Sequence, residues 1–349
     1  MKIALFALGA LMVAATALPL LRSDQWWIRV FDFPRIQITF ILALVLTAYP
    51  LSAGSYNAAD YFLLAALAVC LAYQCYMMFP YTPLARKQVQ RSAGAREGRG
   101  FSLLFANVLM SNRNAGRLKE LIRGANPDII LTVETDGWWE EQLREFEQTH
   151  PFAVRRPQDN TYGMLLYSRL ELVEPEVKFL VQNDIPSIHA RVRLPGGEEV
   201  GLHCLHPRPP FPTEDDSSKE RDAELLIVGR EIKGKDLPVV VLGDLNDVAW
   251  SRTNYLFQDI SGLLDPRVGR GFYNTFHAKY PIIRFPLDHF FHSNHFRVVA
   301  FRRLAGFGSD HFPVFIALSY EPDAEAEQPE LRATRSEQEE AAEKIEKAA

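Results

Sequence analysis

Three uncharged apolar stretches, Ile3–Leu21, Ile36–Ala59 and Tyr61–Ala85, crowd the first quarter of this 349-residue chain. Each is long enough to cross a hydrocarbon core of about 30 Å as a helix. Trp26, Trp27, Tyr56 and Tyr81 lie near their ends, where interfacial anchors belong. Residues 1–85 are therefore read as a membrane region with helices at about 3–21, 36–56 and 61–80, and the chain as a multi-pass membrane protein. The first stretch follows Met-Lys and contains Ala15-Thr16-Ala17, so a cleaved signal peptide is the rival reading for that segment alone. Arg22, Arg29 and Arg35 fall between the first two stretches, and Arg86, Lys87, Arg91, Arg96 and Arg99 follow the third. The turn Ser52–Asp60 has no Lys or Arg, which favours a cytoplasmic C-terminal part. Cleavage of the first stretch would put that part outside.

Residues 86–100 are basic and rich in small residues, as expected of a linker leaving the membrane and suited to anionic headgroups. Residues 101–320 read as one globular domain. The tail 321–349 holds ten acidic residues against four basic ones and no aromatic, the composition of a disordered tail or a solvated helix. Removing its net −6 from the formal −5 leaves about +1 for the rest, so no strong field for a polyanion is present. Cys70 and Cys75 fall in the third apolar stretch and Cys204 stands apart, so no disulfide framework can be read. No protein partner is inferable.

Within 101–320 strand-like and helix-like segments alternate. Strands are expected over Phe101–Asn107, Asp128–Glu134, Gly163–Ser168, Ile188–Leu194, Val200–His206, from Leu237, and over Arg284–His292, Phe296–Arg303 and Phe312–Tyr320. Helices are expected over Gly116–Arg123, closed by Gly124, over Trp138–Gln148 and over Ser218–Ile232. Short βα units followed by β pairs make an α/β layered domain.

Polar residues gather at the strand ends. Asn107 closes Phe-Ser-Leu-Leu-Phe-Ala-Asn, Glu134 closes Asp-Ile-Ile-Leu-Thr-Val-Glu, and His206 closes Val-Gly-Leu-His-Cys-Leu-His. The apolar run from Leu237 ends in Gly-Asp244-Leu-Asn246-Asp247; Asp288 sits in Phe-Pro-Leu-Asp-His-Phe-Phe, and Asp310-His311 in Gly-Ser-Asp-His-Phe-Pro. Each alone suits a turn or cap. With Asp247 left to the turn, eight carboxylate, amide and imidazole groups at strand boundaries suit a reaction centre on a rigid support.

This series resembles the endonuclease/exonuclease/phosphatase family, over about Phe101–Tyr320 and in family order: N, E, H, G-D-x-N, L-D-H/Y and G-S-D-H-x-P. The resemblance implies a two-sheet β-sandwich flanked by helices, here preceded by transmembrane helices. It also implies a divalent metal, usually Mg²⁺ with Mn²⁺ as substitute, at the sheet ends. Where many members have Gln before the Glu, this chain has Val133. Phosphoester hydrolysis needs neutralised charge on non-bridging oxygens, an oriented water and a stabilised leaving oxygen. Mg²⁺ takes carboxylate and amide oxygens, which suits Glu134, Asn107 and Asp310 as ligands. Asp244 would activate the water and Asn246 would donate to the phosphate. His311 would contact it while Asp288 fixes the imidazole, and His206 is the second phosphate-side histidine.

Several neighbours have blander readings. His203, three residues before His206 in a strand, faces away from it. His289 alternates away from Asp288, Asp247 caps a turn, and Trp138, Trp139 and Trp250 are packing residues before they are groove lining. Arg252 and Lys219 are solvated charges by default, and Tyr162-Gly163 matches a family segment without a chemical role. The loop Pro207–Asp216, rich in proline and acid, does not suit DNA wrapping. The leading expectation is a membrane-tethered, Mg²⁺-dependent phosphoesterase whose phosphorylated substrate is borne by, or linked to, a lipid of the bilayer. A nuclease on DNA or RNA is the rival enzyme, and an inactive membrane scaffold of the same fold is the rival from another class.

Overall fold

A computed structural model describes residues 1–52, 55–94, 97–211 and 213–348. The first apolar stretch forms α1 (Lys2–Ala17), continued by a 3-10 turn over Leu18–Leu21. A short α2 (Trp26–Arg29) follows, then α3 (Arg35–Ser52) and α4 (Ala58–Met78). Three helices are long and apolar enough to cross a membrane: Lys2–Leu21, Arg35–Ser52 and Ala58–Tyr81. α3 ends at Ser52, short of the expected 56, and Ala53 and Gly54 lie outside the described residues. α4 opens on a reciprocal cap, Asn57 accepting from the Asp60 amide while Asp60 accepts from that of Asn57. A polar chain crosses the bundle: Arg35 donates to Gln74 at 3.0 Å, and Gln74 donates to Thr16 at 3.1 Å.

The remainder is a sandwich of two sheets. The first carries β1 (Gly100–Asn107), β2 (Ile129–Val133), β3 (Phe152–Arg156), β4 (Met164–Ser168), and, from the other half of the chain, two later strands. The second carries β5 (Leu172–Lys178), β6 (Ser187–Arg193), β7 (Glu199–Leu205), β8 (Val239–Asp244) and β9 (Asp288–His292). With β10 (Phe296–Arg303) and β11 (Val314–Tyr320), the first sheet has the order β10-β11-β1-β2-β4-β3, and the second runs β5-β6-β7-β8-β9. Leu103, Phe105, Leu131, Leu202, Leu242 and Phe290 are among the buried residues filling the space between them. α5 (Ala115–Ala125) and α6 (Gly137–Leu143) cover the outer face of the first sheet through Leu118, Ile122, Trp139 and Leu143. α7 (Lys219–Lys233) and α8 (Arg252–Ser261) cover the second through Leu225, Val228 and Phe257.

Local differences from the sequence reading have local causes. α5 runs past Gly124 and is closed by Asn126, which takes the left-handed conformation (φ 49°) that asparagine tolerates. α6 stops at Leu143 and tightens into a 3-10 turn ending at Gln148. The strand before β10 begins only at Asp288, because Phe285 is bridged instead to Phe276 outside the sheet. The acidic tail is folded rather than free. A helix α9 (Arg335–Glu346) buries Ala341 against Leu226, Leu256 and Ile260. Its charges are spent on partners that composition cannot reveal: Arg252 binds Glu340 at 2.7 Å, and Lys344 binds Asp24 and Asp222 at 2.8 and 2.9 Å.

Residues 86–100 are likewise not a free linker. Val89 is buried in the sandwich core, and the chain pairs along β10, with Val298 donating to Gln90 and Ser92 donating to Val298. Ala95 and Arg96 lie outside the described residues. The apolar N-terminal helices also pack directly on the sandwich: Met78 and Tyr81 share one buried cluster with Val248, Trp250, Phe285 and Leu287. Trp250 donates its indole N–H to the Asp32 carbonyl at 2.7 Å, and Tyr81 donates to the Ala249 carbonyl at 2.6 Å.

Candidate active site

Strand register brings the singled-out residues to one end of the sandwich. β1 and β2 are parallel with Asn107 opposite Val133, so Glu134 emerges beside Asn107. β7 and β8 are parallel, which sends His206 and Asp244 out the same way. β9 enters antiparallel with Asp288 directly opposite Asp244. β11 runs antiparallel to β1 with Val314 opposite Phe105, so residues 309–311 arrive at the end where Asn107 leaves.

Two glycines make the approach possible. A Cβ at Gly243 would overlap the carbonyl oxygen of Leu205 on the neighbouring strand, so the residue before Asp244 must lack one. A Cβ at Gly163 would overlap the carbonyl oxygen of Thr135, the residue after Glu134, and Thr135 N–H donates to the Gly163 carbonyl at 3.1 Å. Gly163 thus braces the turn that carries Glu134, a positional role for the Tyr-Gly pair. Glu134 (φ 59°) and Asn246 (φ 50°) both occupy the left-handed region, a local cost tolerated where the surroundings over-determine it.

Asn107 links the two sheets: its Nδ2 donates to Glu134 Oε1 at 2.7 Å and to Asp244 Oδ2 at 3.0 Å. The other Asp244 oxygen accepts the Asn246 backbone N–H at 3.0 Å. His311 stands between two carboxylates, with Nδ1 3.1 Å from both Asp288 oxygens and Nε2 3.5 Å from Asp244 Oδ2. Ser309 locks this loop by donating to the Asn107 carbonyl at 2.9 Å and accepting the His311 N–H at 3.0 Å. The Asn246 side-chain amide donates to the Pro207 carbonyl at 3.0 Å, which leaves its second N–H for a ligand. His206 is buried against the Tyr162 ring, centroids 5.4 Å apart, and its Nδ1 has no hydrogen-bond partner among the described residues.

The electrostatics divide these groups. Burial pushes the Glu134 carboxyl up to about 7, against the hydrogen bond from Asn107 that favours its charged form. Burial likewise raises Asp244, with His311 opposing. For His311 burial works against the imidazolium, yet Asp288 and Asp244 outweigh it and hold the ring up to about 10. His206 has no such support beyond the Asp244 charge, and burial takes it down to about 4. At neutral pH His311 is cationic and His206 neutral.

A cation fits on the Glu134 side. No Lys or Arg ion pair reaches Glu134 among the described residues; its oxygens accept only from the Asn107 amide and the Met110 N–H. The largely desolvated Glu134 carboxylate is a hard oxygen donor for Mg²⁺ or Mn²⁺; Asn107 meets it through Nδ2, its Oδ1 accepting the Leu109 N–H at 3.0 Å, so ligation by Asn107 requires its amide to turn over. Asp244, Asp288 and His311 could also gather around an ion, their ligand atoms lying within 4.8 Å of one another. Their hydrogen bonds account for that closeness as an acid–base group instead.

The bland readings divide as well. His203 faces away and shares a 2.6 Å contact with His189. His289 is buried behind the site, its Nε2 donating to the Asp247 carbonyl and its Nδ1 accepting from Arg267. Asp247 does more than cap: Arg221 lies 3.2 Å and Arg29 3.9 Å from its carboxylate. Trp139 and Trp250 are fully buried, and Trp138 lies under Arg113. Ser309 and Tyr162 are site residues that the sequence displayed without a role. Thr275, whose hydroxyl accepts the Asp288 N–H at 3.3 Å, gave no sequence signal at all.

A two-sheet sandwich with acid, amide and imidazole groups converging at its strand ends defines a metal-dependent phosphoester hydrolase. The chain belongs to the Endonuclease/Exonuclease/phosphatase family, whose sequence pattern matches residues 104–311. Solved structures share the fold. The endonuclease/exonuclease/phosphatase from Beutenbergia cavernae is 18% identical with a TM-score of 0.51, over 64% of this chain and 72% of that one. D. rerio TDP2 complexed with single-strand DNA product is 17% identical (TM-score 0.50; 63% and 99% covered). The human Nocturnin catalytic domain with bound sulfate is 15% identical (TM-score 0.53; 63% and 94% covered). No curated protein matches the chain significantly.

Proposed function

We propose that the protein is a membrane-tethered, divalent-metal-dependent phosphoesterase hydrolysing the phosphate ester of a lipid or lipid-linked substrate. The observation that carries this reading is the junction: the candidate membrane helices share a buried cluster with the turn that follows Asp244. An enzyme whose reaction centre is packed on its own spans meets bilayer-borne substrate at high effective concentration. In this reading α1 crosses from the far face, and Arg22, Arg29 and Arg35 lie on the side of the sandwich, the cytoplasmic one by charge bias.

Glu134, Asn107 and Asp310 would hold Mg²⁺, with Mn²⁺ substituting, and the ion would neutralise the non-bridging phosphate oxygens. Asp244, oriented by Asn107 and the Asn246 N–H, accepts the proton of the attacking water; its raised pKa makes it the stronger base. Cationic His311, aligned by Asp288, donates to the phosphate. The free N–H of Asn246 and neutral His206 complete its binding.

A second reading, a nuclease, draws on the likeness to TDP2 solved with single-strand DNA product. Nucleic-acid affinity comes from many Lys and Arg contacts and falls steeply with salt. The test is a substrate panel with the full-length protein in proteoliposomes and Mg²⁺: phosphatidic acid, a lipid pyrophosphate, inositol phosphates, and single- and double-stranded DNA. Turnover of a lipid phosphate with shallow salt dependence is expected. Steeply salt-sensitive DNA cleavage with no lipid turnover would replace this reading by the nuclease.

A further inference from the structure

Between the segment at Thr275 and β9 the chain makes an excursion, Lys279-Tyr280-Pro281-Ile282-Ile283-Arg284, that leaves large apolar side chains in the open. Tyr280 is 59% exposed, Ile282 78% and Ile283 52%. Scattered single apolar residues on a surface need no explanation, but three within four positions at a loop tip form a patch.

The loop's position says what covers it. Gln37, in the first turn of α3, donates to the Ile282 carbonyl at 2.6 Å. At the loop's base, Phe285 packs edge-on to Phe33, two residues before α3, with ring centroids 5.7 Å apart. Two independent contacts therefore tie the loop to the point where a candidate membrane span begins. At a rise of about 1.5 Å per residue, Gln37 lies only about 3 Å along the helix from Arg35. The apolar tip is thus level with the start of the span, and the flanking Lys279 and Arg284 suit headgroup height.

The stems of the same loop hold the reaction centre. Phe276 bridges His311, their rings 5.1 Å apart, and Ala278 N–H donates to the Asp310 carbonyl at 2.6 Å. Phe312 N–H donates to Thr275, whose hydroxyl accepts from Asp288 N–H. One excursion therefore touches the bilayer-side helix at its tip and Asp310, His311 and Asp288 at its base.

We infer that the 279–284 loop inserts Tyr280, Ile282 and Ile283 into the interfacial layer of the bilayer and so turns the Asp310–His311 side of the site towards lipid headgroups. This deepens the proposed function and rests on it for the membrane itself. The occupant of the patch is the lipid surface, because its apolar residues continue the surface of α3; a protein partner on the same patch would be the competing outcome.

The test uses the full-length protein in nanodiscs. Ile282→Trp and Ile283→Trp are compared with the parent for the added fluorescence, quenched either by phosphatidylcholine brominated along its acyl chains or by aqueous acrylamide. Bromolipid quenching with acrylamide protection is expected. In parallel, the exposed-site variants Ile282→Glu and Ile283→Glu are assayed on phosphatidic acid in phosphatidylcholine vesicles and on soluble para-nitrophenyl phosphate. A loss of about tenfold or more is expected on vesicles, the scale set by desolvating one such side chain, with little change on the soluble ester. Acrylamide quenching without bromolipid quenching would overturn the inference even if lipid phosphate is turned over. Bromolipid quenching without turnover of any lipid phosphate would leave the inserted loop standing and remove the proposed substrate.

Discussion

The reaction centre has two unlike halves. Around His311 a cationic ring is held between two carboxylates, so Asp288 and Asp244 each have a positive neighbour. Glu134 has no such ion-paired neighbour among the described residues: a desolvated carboxyl is met by neutral N–H groups and is driven up to about 7. The Asn107 side chain is hydrogen-bonded to Glu134 in one half and to Asp244 in the other. On the proposed assignment, the acid–base half is complete in the polypeptide, whereas the Glu134 half awaits a cation.

The comparison breaks most visibly if the halves are removed separately. His311→Ala and Asp244→Asn should each lower turnover by about 10²–10⁴-fold. His311→Ala should leave metal affinity, measured by calorimetry, within a few-fold. A large loss of metal affinity in His311→Ala would mean that the Asp244, Asp288 and His311 group is itself the metal site.

Glu134→Gln should weaken metal affinity by about 10–100-fold and be rescued in part by raising Mg²⁺ or Mn²⁺, while excess chelator should abolish activity of the parent. Full activity in chelator would sink the assignment of this half.

Each half should also have its own pH signature. Below about 7 a proton competes with metal at Glu134, so at limiting Mg²⁺ activity should climb with pH and level off above 7, and saturating metal should move that rise to lower pH. The His311 pKa is raised from the ordinary 6.5 to about 10, so the stability its charge contributes is full below 6.5 and lost as pH rises through 10. Melting temperature in chelator should accordingly fall between pH 7 and 10, and in His311→Gln much of that slope should vanish.

Smaller effects test the supports. Tyr162→Phe keeps the ring on His206 and loses only the 3.0 Å bond to Glu214, so a change of a few-fold in kcat is expected, against a larger one for Tyr162→Ala. His203→Ala should be the mildest for turnover, since its partner is His189 and not the site, whatever it does to stability. A His203 as essential as His206 would contradict the strand-face assignment.

Much of this was legible in the chain. The run from Leu237 to Asp244 reads as a buried strand because both faces are covered, and Asp244, Asp288, Asn107 and Glu134 stand where strand ends predict. The pairing of Asp288 with Asp244 depends on the register of two strands some forty residues apart, which no local pattern encodes. Thr275 and Ser309 act through single hydroxyl hydrogen bonds, and a hydroxyl in a loop carries no periodic signal. The tail misled for the opposite reason. Its composition suits a disordered segment or a solvated helix; a helix does form near its end, but Ala341 and the ion pairs of Arg252 and Lys344 dock it through tertiary contacts that composition cannot register. Residues 86–94 look like a linker for the same cause, their anchoring to β10 being long-range.

The buried junction between the helices and the sandwich has a consequence for how the molecule can be cut or recombined. Tyr81 and Trp250 are both fully enclosed, and each donates a hydrogen bond to the backbone of the other region. A fragment beginning at Phe101 would expose Trp250 and Leu287 and orphan the indole N–H, so it should aggregate where the whole chain does not. Nor could a foreign anchor of equal length and hydropathy stand in for the native helices. The apolar helical segment is a folding partner of the hydrolase, and the two must be inherited, expressed and engineered as one piece.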